Sequence, residues 1–265
     1  MSQKPIGDDE LQKYYAEDLP IEFLIVNEHL PEESKLDYLI LDESQDLISP
    51  YYLEVFDLIL KGGIRNGNWA MFGDFTNQAI YLNNPIDSIS LLNSTTNFTT
   101  FPPLKINCRN TKEIAKQNTL LTGTKIPDFT SHNYLGNHVV CKYPIKSSRK
   151  MALLEILSDI EKKQIPLDKV TLLSPKKFKN TLICDENRVK QLMSKGLKTS
   201  TIQSFKGLEN TIIVLHDFDE VTSEQMQRLL YIGISRARQE LFLVLDKSQE
   251  KAVSELIQEN YPKLG

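Results

Sequence analysis

Cysteine is scarce in this chain: Cys108, Cys141 and Cys184 are widely separated. They offer neither a disulfide framework nor the C-x-x-C spacing of a zinc site. His29, His132, His138 and His216 are equally scattered, so metal binding through sulfur or imidazole is not expected. No apolar run approaches the ~18 residues that a membrane span needs. The opening Met1-Ser-Gln-Lys-Pro lacks the apolar centre of a signal peptide. A cytoplasmic protein with no membrane partner is the expectation, and neither an internal repeat nor a low-complexity tract is visible.

What is present is an ordinary globular composition, 40% hydrophobic and 25% charged over 265 residues. That length is enough for a sizeable core and favours two domains. The net charge of −4 is unevenly spread. Residues 1–60 hold 15 acids against Lys4, Lys13 and Lys35, a balance of −12, and the remaining 205 residues carry +8. A basic carboxyl-terminal part suits a nucleic-acid partner, and a randomly clustered solvated surface explains it about as well.

The stretch that organises the chain is Lys35 to Asp46. Leu36 to Leu41 is a nearly unbroken apolar run, which predicts a strand buried on both faces of a parallel sheet. It ends in Asp42-Glu43-Ser44-Gln45-Asp46. Ligands of open α/β sheets bind beyond the carboxyl ends of the strands, which places these acids in a binding crevice. Adjacent carboxylates there suit nucleoside triphosphate hydrolysis, with Asp42 holding Mg²⁺ and Glu43 acting as the base toward the attacking water. Ile21–Val26 reads as a short strand or a buried helical turn. Ser49-Pro50 opens a helix that Gly62-Gly63 ends, and 68–72 is a second strand. Turn residues around Pro102-Pro103 mark a domain boundary near 95–103. Beyond it strands are predicted at 103–107, 138–143, 169–173, 198–201, 211–215 and 241–245. Helices are predicted at 111–121, 149–163, 186–195, 222–235 and 247–260. Such alternation means a parallel sheet covered on both sides.

Polar clusters punctuate this pattern: DESQD at 42–46, GDFTNQAIY at 73–81, NCRNT at 107–111, TIQSFKGLE at 201–209 and YIGISRAR at 231–238. In this order they resemble the motifs of UvrD/Rep-type superfamily 1 DNA helicases, DExQD, GDxxQxIY, NYR[ST], TxHxxKGLE and YVAxTRAR. The second cluster is one residue longer before its glutamine. The resemblance implies an α/β chain with an incomplete first RecA-like domain over 1–100 and a complete second RecA-like domain over 101–265. It further implies ATP and Mg²⁺ as cofactors and single-stranded or duplex DNA as partner. Asp42 and Glu43 keep the roles already argued, and Gln78 would sense the γ-phosphate or the attacking water. Arg109 and Arg236 would stabilise the charge that spreads over the transferred phosphoryl group. Glu209 would accept from the ribose hydroxyl, with Gly207 letting the backbone come close.

The resemblance is incomplete. The family's phosphate-binding loop, GxxxxGK[ST], precedes the Asp-Glu strand, and this sequence contains nothing of that form. Gly123-Thr124-Lys125 is the nearest echo. That loop holds the β- and γ-phosphates and part of the Mg²⁺ shell, so the chain alone is expected to be a poor ATPase or none. It is expected to be the distal portion of a longer helicase, or a subunit completed by a segment or chain that supplies the loop. Cys108 replaces the tyrosine that stacks on adenine, and Gln203 replaces a histidine. Leu82-Asn-Asn-Pro follows Tyr81 where many relatives carry aromatic residues that stack on single strands. Without the loop's strand, the strand at 69–72 is expected to have an open edge. The alternative function is a non-catalytic, helicase-derived adaptor that binds DNA, nucleotide or a partner. An unrelated doubly wound nucleotide-binding domain is a third reading.

Overall fold

The computed structural model describes residue 10 and residues 13–74, 88–130 and 135–265. Gln78 lies outside the described residues. The chain divides into two compact units, Met1–Pro102 and Pro103–Gly265.

The first unit contains helix α1 (Leu19–Val26), strand β1 (Tyr38–Leu41), α2 (Pro50–Ile59), α3 (Gly63–Asn66), β2 (Asn68–Met71) and α4 (Ser88–Thr95). β1 and β2 pair in parallel, with Leu39 opposite Trp69 and Leu41 opposite Met71. Ser49 caps α2, its Oγ accepting the Tyr52 N–H at 3.4 Å, and Pro50 fills the first helical position. Leu53, Val55, Phe56 and Leu60 then pack with Leu39, Ile48, Ile64 and Leu92 into one apolar core.

Two expectations need correction here. β1 is buried on one face only: Leu39 is 8% exposed, whereas Tyr38 and Ile40 are 54% and 67% exposed. The α2 side of the sheet is covered, and among the described residues no second layer lies over the other side. Residues 21–26 are helical, as one of the two readings had it, but they are not a strand and are not buried. They belong to α1, because Pro20 suits the first turn of a helix and Asn27 closes the last one, its Nδ2 donating to Phe23 O. Ile25 and Val26 are exposed. Among the described residues β2 pairs with β1 and with no further strand.

The second unit opens with a short parallel pair, β3 (Ile106–Asn107) and β4 (Asp128–Phe129). Its main sheet has five parallel strands in the order β5-β9-β8-β6-β7. These are β5 (Val140–Lys142), β6 (Val170–Ser174), β7 (Lys198–Thr201), β8 (Asn210–His216) and β9 (Ala237–Val244). The helices are α5 (Lys112–Thr122), α6 (Arg149–Lys162), α7 (Asn187–Ser194), α8 (Glu224–Ser235) and α9 (Glu250–Asn260). This is the parallel α/β architecture the alternation implies. All five residues of β6 are buried, as an apolar run covered on two faces should be. Thr171 is tolerated there because Asn210 Nδ2 donates to its Oγ1 at 2.9 Å. On α6 the buried residues are Ala152, Leu153, Ile156, Leu157 and Ile160, one face at helical spacing.

A parallel sheet gathers all its strand beginnings on one rim and all its ends on the other. Residues 208–209 and 235–236 immediately precede β8 and β9, so Glu209 and Arg236 stand on the rim where strands begin. Ser174, Thr201 and His216 stand on the rim where strands end.

Candidate functional site

In the first unit the acids sit directly past β1, as that strand's apolar run requires. Asp42 is exposed, and its Oδ1 accepts the Glu43 N–H at 2.9 Å. Glu43 has φ +51° and ψ +34°, a left-handed backbone that turns the chain abruptly. Ser44 is fully buried; its N–H and Oγ both donate to Phe72 O at 2.9 Å, tying the acid turn to the end of β2. Gln45 is also fully buried. Its Nε2 donates to Glu43 Oε2 at 2.7 Å, and its Oε1 accepts the Asp74 N–H at 3.1 Å. Gly73 is required beside it, since a Cβ there would lie 2.2 Å from Gln45 Oε1.

In the second unit four of the expected residues share the rim where strands begin. Asn107 Oδ1 accepts the N–H groups of Arg109 and Asn110 at 2.9 and 3.0 Å, folding NCRNT into a tight turn. Thr111 caps α5 through Ile114 N–H. Asn110 Nδ2 donates to Ser235 O and Ala237 O, which fastens that turn to the α8–β9 junction. Arg109 is thereby held against Glu209, with Nε 2.6 Å from Oε2. Arg238 approaches the other oxygen, Nε to Oε1 at 3.4 Å. Glu209 therefore lies between two guanidinium groups, both partly exposed. Gly207 adopts φ +80° with open space around it, a backbone that suits glycine.

Arg236 is different. It is only 1% exposed, with Nε donating to Ile232 O and Ser235 Oγ at 3.2 Å. Its Nη2 donates to Ser235 Oγ at 3.0 Å and its Nη1 to Leu208 O at 3.4 Å. In this conformation the guanidinium braces the loop before β8 against the end of α8. Reaching a phosphate requires the side chain to leave that pocket.

The opposite rim holds a buried pair that sequence reading did not single out. His216 Nδ1 lies 3.1 Å from Asp217 Oδ2, and that same oxygen accepts the Leu182 N–H at 2.9 Å. Burial pushes the Asp217 carboxyl up. The His216 and Leu182 hydrogen bonds, with the Lys176 charge, outweigh it and hold the group below the usual carboxylate range. Lys176 itself pairs with Asp219 at 2.7 Å.

Gln45, Asn107, Asn110 and Arg238 are thus structural partners of the expected site residues. All four lie inside the motifs, which was the available signal. Their contacts span up to 127 residues, and a single sequence does not display such pairings. Among the described residues no group of three or more His, Cys, Asp or Glu forms a metal cluster. Asp42 contributes one exposed carboxylate, which fits a hydrated Mg²⁺ that also takes phosphate oxygens and water. Ser44 Oγ is already committed to Phe72 O. Arg109, at the surface, fits a phosphate.

Among known families, the UvrD-like helicase C-terminal domain matches residues 197–244. That stretch runs from before β7 to the end of β9 and includes Gly207, Glu209 and Arg236. No curated protein matches the chain. One similar solved structure is the C-terminal domain of a possible DNA helicase from Lactobacillus plantarum WCFS1. It is 17% identical, covers 57% of this chain and 95% of that one, and has a TM-score of 0.39. The Arterivirus nonstructural protein 10 (helicase) is 15% identical, alone with a TM-score of 0.42 and in a complex with DNA with 0.47. These alignments cover 82% and 87% of this chain and 40% and 43% of the arterivirus chains, so this chain spans less than half of that helicase. At such identities and scores the likenesses say nothing about individual site residues.

Proposed function

We propose that this helicase-related chain is the carboxyl-terminal motor portion of an ATP-dependent UvrD-like DNA helicase or translocase, with a partial and a complete RecA-like domain. The reading rests on five motifs in family order, the last two falling in the matched stretch 197–244. Asp42 holds Mg²⁺ through its exposed carboxylate, and a Glu43 oxygen takes the proton of the attacking water. Gln78 senses nucleotide state. Arg109 and Arg236 neutralise charge on the transferred group, and Glu209 with Gly207 receives the ribose. When bound, Mg²⁺-ATP supplies the phosphoryl bond whose hydrolysis drives the cycle. DNA is the partner in this reading, in keeping with the +8 balance of residues 61–265.

The chain does not hydrolyse ATP by itself in this reading, because no GxxxxGK[ST] stands in its sequence. A segment or chain bearing that loop completes the site, and the face of β1 that exposes Tyr38 and Ile40 and the edge of β2 that pairs with no strand among the described residues suit its docking. The test is DNA-stimulated ATPase after adding such a partner. Glu43→Gln should lower turnover by about 10²–10⁴-fold, the usual worth of a general base. Equal turnover with glutamine at 43 overturns the assignment. The missing loop motif also favours a second reading, a non-catalytic adaptor. An assembly that binds DNA and shows no ATPase would establish that one.

A further inference from the structure

Within the acid turn, the Gln45 side chain joins the Glu43 carboxylate to a backbone group past the neighbouring strand. Its amide is wholly enclosed, and each half has a different client. The N–H side donates to the Glu43 carboxylate at 2.7 Å, and the carbonyl side accepts from the Asp74 backbone at 3.1 Å. Those clients lie 31 residues apart, past the ends of two adjacent strands. An enclosed amide is costly to leave half-paired, so Gln45 has few alternatives to serving both. Gly73 removes any slack, because even a methyl group at that position would strike Gln45 Oε1. Ser44 meanwhile fixes the turn to Phe72 through both its N–H and its Oγ, so the Gln45 amide is a second, separate tie between the same two strand ends.

We propose that Gln45 is a positioning residue that couples the Glu43 carboxylate to the turn at 73–74. Rearrangement of Glu43 shifts the Gln45 amide, and the Asp74 N–H follows. The proposal rests on the reading of Glu43 as the base. That reading gives the link its use, since Asp74 begins the segment leading to Gln78. The state of the base is thereby transmitted to the turn at 73–74 without passing through the strands.

The test is amide hydrogen exchange at Asp74 in the full chain, followed by NMR with no nucleotide present. Gln45→Met keeps the bulk and removes both bonds. Glu43→Asn tolerates the left-handed backbone and is one methylene too short to reach Gln45 Nε2. Each should speed Asp74 exchange by about fivefold, as the loss of one net hydrogen bond does. The Phe56 and Leu60 amides of the α2 region report global stability and should not change. If Gln45 merely props up the turn, Gln45→Met accelerates Asp74 and Glu43→Asn leaves it as in the parent, which overturns the coupling. Should Gln45→Met fail to fold, the Glu43→Asn arm decides alone. Because no ATP is involved, a failed relay leaves the base assignment standing, and an intact relay with unaltered ATPase in Glu43→Gln would remove only the latter.

Discussion

Single residues on the strand-start rim differ sharply in what they hold. Arg236 is enclosed and hydrogen-bonded to backbone carbonyls. Arg236→Met should therefore destabilise the second unit by about 2–4 kcal/mol in urea denaturation, because buried acceptors lose a charged donor. Glu209→Gln should cost under ~1 kcal/mol, since its ion pair with Arg109 is partly solvated. In an assay of the completed assembly proposed above, a defect in Glu209→Gln would thus not be attributable to unfolding, whereas one in Arg236→Met must first be corrected for it. On the other rim, Asp217 has a depressed carboxyl. A group whose folded value lies below its unfolded one stabilises the fold above the ordinary carboxylate range, and loses that effect as pH falls through the folded value. Asp217→Asn should flatten the acid limb of a stability-versus-pH curve, and an unchanged limb would show that the pair contributes nothing there. The cysteines should separate too. Cys108 is exposed, while burial pushes the Cys141 thiol up to about 11 despite the hydrogen bond from Tyr143. A thiol reagent at neutral pH should label Cys108 well before Cys141.

At the scale of elements, β1 is lopsided. Leu39→Ala should cost about 2–4 kcal/mol, the usual range for a buried leucine, and Ile40→Ala within about 0.5 kcal/mol, as for an exposed site. Similar losses for both, measured by thermal denaturation, would mean that the outer face is already covered. This lopsidedness marks the limit of sequence reading. The unbroken run Leu36–Leu41 states that the strand wants apolar neighbours on two sides, and it does not state whether this chain provides both. Elements with local determinants were fully legible. Ser49-Pro50 announced α2, and the 3.6-residue spacing from Ala152 to Ile160 announced α6 and its buried face. β7 falls at 198–201 as expected, and β8 and β6 differ from expectation by a residue at either end. α1 was only half legible, left open between strand and helical turn, because a run as short as Ile21–Val26, with Glu22 as its one polar residue, shows no decisive period. β4 escaped because two residues leave no pattern. At the site, residue identities were legible from motif frames. The Arg109–Glu209–Arg238 arrangement was not, since it depends on a fold that brings residues 100 apart together.

For the whole molecule, the division at Pro102–Pro103 separates a unit with a one-sided sheet from one with a five-stranded sheet enclosed by helices. The fragment 103–265 should unfold cooperatively on its own. The fragment 1–102 should show a broader, weaker transition. A single transition shared by the intact chain and both fragments would contradict this. Among the described residues no helix is long and apolar enough to cross a membrane.

Glu209 and Arg236 sit where β8 and β9 start, while His216 and Val244 sit where they finish. At ~3.3 Å per residue, the seven residues of β8 make a girder about 20 Å long. Whatever tilts one end of such a girder tilts the other with it, with no relay of side chains required. Softening its middle, as Ile213→Gly would, should then let one rim move without the other while leaving the side chains at both ends unchanged.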